Sequence, residues 1–419
     1  MKRILALLLI AVTMLSFVSC KKDKEETPGD ENGNKTDELT SVDFLNDDLA
    51  EYVEIDEKHY KNYTVTVDPD RISTLDVENK IIQELCKHKS KESVKGDGVI
   101  SVGDVAHIYY KGYYMKNGEP YYFDGGCNMD SGKTHALEIG SGGFIPGFEY
   151  NLIGKNPADY TKDDPIVVET FFPENYGSAE LAGKTAYFIV EVEELEEYDA
   201  PSLDVTFITE TLKLSAETLE EYDGEGIVQK YRSYLKEQIA VEKGLDTETL
   251  VLQTFWKSVM AGAVVKKYPE KQVEEAYDSL VAELEYYYNY YSSYYKYDDF
   301  MCLYIGLDVG SDWKAELKNM AKEQVKQQLI FYRIMNQEGL KPTDEEYNKL
   351  FDEYLVSALA EQGIVAEKYD TEEEYLTAKS NFKKQMLESR GEEYFKTMIY
   401  YQVTVEKIIE YANVVETTE

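Results

Sequence analysis

The sequence predicts an α+β chain in which an antiparallel sheet wrapped on a short helix is followed by an all-α module. Three observations carry that expectation. From Gly98 to about Leu195 short β-rich runs alternate with Gly-rich turns. From 217 to 412 those signals give way to amphipathic helical periodicity. At 419 residues the chain exceeds what one ordinary core organises, so two or three folded units are expected.

The chain opens with Lys2 and Arg3 ahead of the apolar run ILALLLIAVTML and then reaches FVSC, ending at Cys20. A basic start and a short apolar stretch make an export signal, and the run is too short for a comfortable membrane span. Ser19-Cys20 resembles the lipobox of bacterial lipoproteins. That resemblance implies a signal peptide in residues 1–20, a lipidated Cys20 and attachment to the extracytoplasmic face of the bacterial cell membrane; a plain secretory signal with an incidental cysteine is the alternative. Residues 21–40, KKDKEETPGDENGNKTDELT, have almost nothing to bury and read as a disordered tether. A flexible coil of that length spans about 25 Å on average. The other cysteines, Cys86, Cys127 and Cys302, are odd in number and widely spaced, so no disulfide framework is indicated.

Beginning at Tyr60, the alternation Tyr63, Val65, Val67 suits a half-buried strand. A helix follows, capped by Ser73 or Thr74, with Val77, Ile81, Ile82 and Leu85 at helical spacing. The unit at 91–199 contains VAHIYYKGYYMKNGEPYYF, HALEIG, PIVVETFF and TAYFIVEVEEL, with KNGEP as a hairpin turn and one short helix starting near Pro146 and Gly147. Residues 200–419 are helical. Ile227, Tyr231, Tyr234, Leu235 and Ile239 form one stripe and Val325, Leu329, Tyr332 and Ile334 belong to another. Thr343 and Glu346 form a capping box, and breaks fall at 268–270, 305–312 and 389–393.

The 81 acidic against 44 basic residues give a net charge of -37, which repels phosphate backbones and disfavours nucleic acid as a partner. His59, His88, His107 and His135 are scattered and the cysteines irregular, so no metal or cofactor is expected. GSGG lacks the Lys and Ser or Thr of a phosphate loop. The surplus carboxylates read most simply as a solvated surface.

The runs VGDVAHIYYKGYY, YYFDGG, LEIGSGGFIPGFEYNLIG and FFPENYGSAELAGKTAYFIVEVEEL together resemble an FKBP-type peptidyl-prolyl isomerase domain, in the version carried by trigger factor. The resemblance covers about a hundred residues in order. It implies a pocket with Tyr110 and Phe123 as walls, Asp124 as a polar member, Phe144 and Ile145 at the rim, Phe148 as floor, and Tyr176 and Phe188 closing the far side. It also implies that the Ile145 N–H holds the substrate carbonyl and that Tyr110 and Asp124 hydrogen-bond. Read alone, Tyr110, Leu137, Phe188 and Val190 are alternating strand positions that suit a core, and Asp124 suits a turn. CNMDSGKTH, with His135 where relatives place an aromatic, and a short loop around Tyr176 depart from the pattern, so weak to moderate isomerase activity is expected.

The resemblance to trigger factor extends further. The strand and helix of 41–90 are expected to pack with the helical module, and 200–419 looks like a chaperone domain. No ribosome-binding signature is seen and the lipoprotein leader stands in its place, so the expected partners are the membrane, through the lipid, and unfolded exported polypeptides with X-Pro bonds. The segment ELEYYYNYYSSYYKYDDF holds eight tyrosines between 286 and 297. Tyr287, Tyr288, Tyr291, Tyr294 and Tyr295 are candidates for client binding, offering large contact area at low entropy cost; the alternative is that tyrosine replaces Leu and Phe in helix packing. For the whole chain, the alternative to a foldase is an FKBP-fold surface lipoprotein that only binds protein.

Overall fold

A computed structural model describes residues 39–95, 98–129, 131–161, 163–173 and 176–417, with Asp124 as backbone only. The strands are β1 (Val53–Glu54), β2 (Thr64–Val67), β3 (Val105–Lys116), β4 (Glu119–Cys127), β5 (His135–Glu138), β6 (Ile166–Phe171), β7 (Thr185–Glu196), β8 (Val264–Val265) and β9 (Asn413–Glu416). The helices are α1 (Thr74–Cys86), α2 (Gly226–Glu242), α3 (Thr247–Gly262), α4 (Glu270–Tyr291), α5 (Tyr297–Tyr304), α6 (Trp313–Gln337), α7 (Asp344–Glu361), α8 (Glu372–Arg390) and α9 (Glu392–Glu410). None of the described helices is long and apolar enough to cross a membrane. The chain forms two compact units, one made by residues up to Val67 with Thr247–Glu416, the other by Asp68–Asp246.

The second unit is built on a five-stranded antiparallel sheet in the order β4-β3-β7-β6, with β5 also on β3. The first half of β3 pairs with β5, Ile108 opposite His135, and its second half pairs with β4, Tyr113 opposite Tyr122. Period-2 alternation buries Ala106 and Ile108 of β3, Ile166 and Val168 of β6 and Ala186, Phe188 and Val190 of β7 on one face. Phe148 and Leu152 complete that core. The short helix expected near Pro146 is a single 3₁₀ turn, Tyr150–Leu152. Gly147, at φ 90°, interrupts helical backbone just before it.

Helix α1 starts at a capping box, Ser73 to Asp76 and back, and buries Val77, Ile81, Ile82, Leu85 and Cys86. Its apolar stripe meets Tyr231, Leu235 and Ile239 of α2. Lys80–Glu242 (2.8 Å), Lys243–Asp76 (2.6 Å) and Arg232–Glu78 ion pairs lace the two helices along their rims. This pairing is why the chain parts inside the segment 41–90, at Val67, and again at Asp246 within the region read as one helical module. The stripe on α1 is covered by α2, so both travel with the sheet.

The first unit has a helical core in which Phe255 of α3, Leu329 and Phe331 of α6, Phe351 of α7 and Tyr401 of α9 are buried together. The expected Thr343–Glu346 capping box opens α7. Strand β2 buries Val65 and Val67 and pairs in parallel with β9, Thr64 opposite Asn413 through Val67 opposite Glu416. At the end of α6, Glu338 accepts hydrogen bonds from Tyr60 (2.7 Å) and Tyr411 (3.2 Å) and pairs with Lys61 (2.7 Å). A smaller cluster of Leu284, Phe300, Met301, Trp313 and Leu317 holds α4, α5 and the start of α6 together.

Candidate active site

The inward positions of β3 and β7 bring Tyr110 and Phe188 to one end of the sheet. Their rings lie 6.4 Å apart. The next inward position on β3 is Gly112, and its lack of a side chain is what admits the neighbouring rings: a Cβ there would stand 2.7 Å from Phe188 Cε1 and run into Phe123. A Cβ at Gly126 would also meet Phe123. Phe123 packs edge-on against Phe188 at 5.8 Å and against Phe172 at 5.4 Å.

Asn128 fixes Tyr110 from the side where β4 ends. Its Oδ1 accepts from the Tyr110 N–H at 2.6 Å, its Nδ2 donates to the Ile108 carbonyl at 3.0 Å, and its own N–H donates to the Tyr110 carbonyl at 3.0 Å. Asn128, by side chain and backbone, thus replaces the ladder partners that β3 lacks between β5 and β4.

The loop 140–149 supplies the floor and rim. Phe148 is fully buried, edge-on to Phe188 at 5.0 Å and to Tyr110 at 6.4 Å. Phe144 stacks on Phe148 at 4.3 Å and stands edge-on to Tyr110 at 5.2 Å. The Gly147 N–H donates to Asn79 of α1 at 3.2 Å and the Pro146 carbonyl accepts from the Thr170 hydroxyl, which pins the turn. Among the described residues the Ile145 N–H makes no hydrogen bond, whereas the Ile145 carbonyl accepts from the Phe148 N–H at 3.1 Å. A free donor therefore lies beside a wall of rings, the arrangement that holds a carbonyl in apolar surroundings.

The structure brings Tyr110, Phe123, Phe144, Ile145, Phe148 and Phe188 into one cluster. Tyr176, 40 % exposed, is joined to it by Phe172, on which its ring rests at 4.6 Å. His135 closes one side, edge-on to Phe144 at 5.4 Å. The Asp124 side chain, its expected bond to Tyr110, and Cys20 with its leader lie outside the described residues. Sequence reading did not single out Gly112, Gly126, Asn128 or Phe172; a glycine inside an aromatic strand is the one signal that pointed to any of them. Burial pushes the Cys86 thiol, which lies behind Gly140, up to about 11, so it is protonated at neutral pH and not a nucleophile.

On α4 and α5 the tyrosines divide. Tyr288 packs inward against Phe300 (5.5 Å) and Tyr297 (5.1 Å). Tyr287 stacks on Tyr304, and Tyr291 on Phe300, while keeping exposed faces. Tyr294 is 81 % exposed and Tyr295 about half.

Residues 96–193 match the FKBP-type peptidyl-prolyl cis-trans isomerases. The ring cluster lies inside that match, and the unit that holds it is an isomerase domain of this type. Residues 228–385 match the C-terminus of bacterial trigger factor. The chain has trigger factors as homologues along most of its length. It is 29 % identical to trigger factor of Acetivibrio thermocellus over 86 % of this chain and 73 % of that one, and 30 % identical to that of Halothermothrix orenii over 72 % and 63 %. Trigger factor of Bacillus cytotoxicus is 32 % identical over 69 % of this chain and 61 % of its own length.

Proposed function

We propose that this chain is a membrane-anchored, extracytoplasmic folding factor that catalyses X-Pro rotation and holds unfolded exported polypeptides. The reading rests on the cluster of Tyr110, Phe144, Phe148 and Phe188 beside the unbonded Ile145 N–H. Rotation about an X-Pro amide faces a barrier of about 18–20 kcal/mol from resonance. No nucleophile is needed. The planar amide is the more dipolar state, so a dry aromatic pocket destabilises it relative to the twisted one, and the Ile145 N–H orients the carbonyl while the C–N bond turns. Only what differs between planar and twisted states lowers the barrier.

The client is held by the exposed tyrosine faces of Tyr287, Tyr291, Tyr294 and Tyr295, and the chain does not engage the ribosome. Support for the anchor is the signal-like start and Cys20; a labelled fatty acid should enter the protein in cells and be lost from a Cys20→Ala variant. The central test pairs a proline-limited refolding assay with an aggregation assay on the full chain. Phe148→Ala should slow proline-limited refolding catalysis by about tenfold or more while leaving suppression of aggregation in place. Unchanged catalysis in that variant removes the isomerase assignment.

A second reading, a protein-binding module with little turnover, is favoured by one observation: the floor ring is covered by Phe144. Full-length protein that binds proline peptides without catalysing their isomerisation would decide for it.

A further inference from the structure

Glu149 follows the floor residue and is 4 % exposed. Its carboxylate sits inside the loop that precedes it. One oxygen accepts from the Gly140 N–H (2.7 Å) and the Gly142 N–H (3.1 Å); the other accepts from the Phe144 N–H (3.3 Å) and the Ser141 hydroxyl (3.2 Å). Four donors of one short loop thus converge on one side chain, and charge-assisted bonds of this kind are the strong ones. From outside, α1 presses on the same loop, since a Cβ at Gly140 would stand 2.7 Å from the Ile82 carbonyl and from Cys86 Cβ.

A loop clamped from both sides fixes the backbone of Phe144 and sets where its ring starts, leaving the ring its side-chain torsions to swing by. That ring lies 4.3 Å over Phe148, tilted by 29°. Phe148 retains no exposed surface. A pyrrolidine ring and the Phe144 ring cannot occupy the same face of the floor.

We propose that Phe144 is a displaceable plug that takes the place of the client's proline over Phe148, and that Glu149 is the positioning residue that sets it there. This rests on the reading of the pocket as the isomerase site. Apparent affinity falls in proportion to the fraction of molecules with the pocket open. A plug seated in nine molecules of ten therefore raises KM about tenfold.

Phe144→Val keeps a wall at the rim but is too short to reach across the floor. In the full-length protein it should lower KM, and the calorimetric Kd for a tetrapeptide carrying a Leu-Pro bond, by about tenfold. Glu149→Gln replaces two acceptor sites by donors and should lower KM in the wild-type background yet leave it unchanged in the Phe144→Val background, because the two act as a unit. Phe144→Leu is measured alongside, and thermal melting confirms that each variant is folded. Turnover that appears only in Phe144→Val also supports the plug. Equal or weaker peptide binding in both Phe144 variants, with Phe148→Ala inactive, overturns the plug and leaves the isomerase reading standing. Absence of both turnover and peptide binding in every form removes the isomerase reading and the plug with it.

Discussion

At position 112 an added Cβ would stand 2.7 Å from Phe188 Cε1 and closer still to the ring of Phe123. Gly112→Ala should therefore destabilise the sheet unit by about 1–3 kcal/mol, the usual cost of overpacking. Catalysis should fall at the same time, because Phe188 leans directly on the floor ring. Thermal melting and the proline-limited assay measured on the same preparation check both halves; a stable protein with lost activity would mean that the rings shift without strain. The large residues of the site were legible because they stand in runs that resemble a known domain in order. The residues that seat them were not. Glycines, one asparagine and one carboxylate act through backbone contacts made by chain folding, and nothing in the local sequence says that Asn128 will substitute for a missing strand or that Glu149 will turn back into its own loop.

Among the elements, α4 and α5 separate packing from display. Tyr288 belongs to the Phe300 cluster, so Tyr288→Ala should cost about 2–4 kcal/mol in guanidinium denaturation. Tyr294→Ala should change stability by less than about 0.5 kcal/mol. Replacing Tyr287, Tyr291, Tyr294 and Tyr295 together by Ser should weaken suppression of aggregation without a comparable loss of stability; undiminished suppression would leave the tyrosines a packing role alone. Helix starts were readable in the sequence, Ser73 and Thr343 both closing capping boxes. The breaks expected at 268–270, 305–312 and 389–393 fall where α4 begins, where α5 gives way to α6, and where α8 gives way to α9. Helix ends are local events, set within a turn or two of chain. The pairing of β2 with β9 joins residues far apart in sequence, and no short-range pattern announces which four-residue strand will find which.

For the whole molecule, the excess of carboxylates sets a background against which Glu338, half-buried among three partners, can be tested. Burial raises the Glu338 carboxyl, but Lys61 and the hydroxyls of Tyr60 and Tyr411 outweigh that and hold it below the ordinary glutamate value. A carboxyl lowered in the folded state contributes stability above its unfolded pKa of about 4.3 and loses it as pH falls through the folded value. Glu338→Gln should thus destabilise its unit by about 1–3 kcal/mol at pH 7, with the deficit closing as the medium is acidified below the glutamate range. Melting curves of the two proteins at pH 7 and in acid give the comparison, and a deficit that persists in acid would assign the loss to packing. The division into two units has a temporal consequence. The unit bearing the isomerase pocket is interposed between the two stretches that compose the other, so it emerges whole while most of the other unit has yet to be made. Strand β2 must wait for β9, some 350 residues later, before its parallel partner exists. As the chain is made, its aromatic pocket is thus complete first and its helical body last.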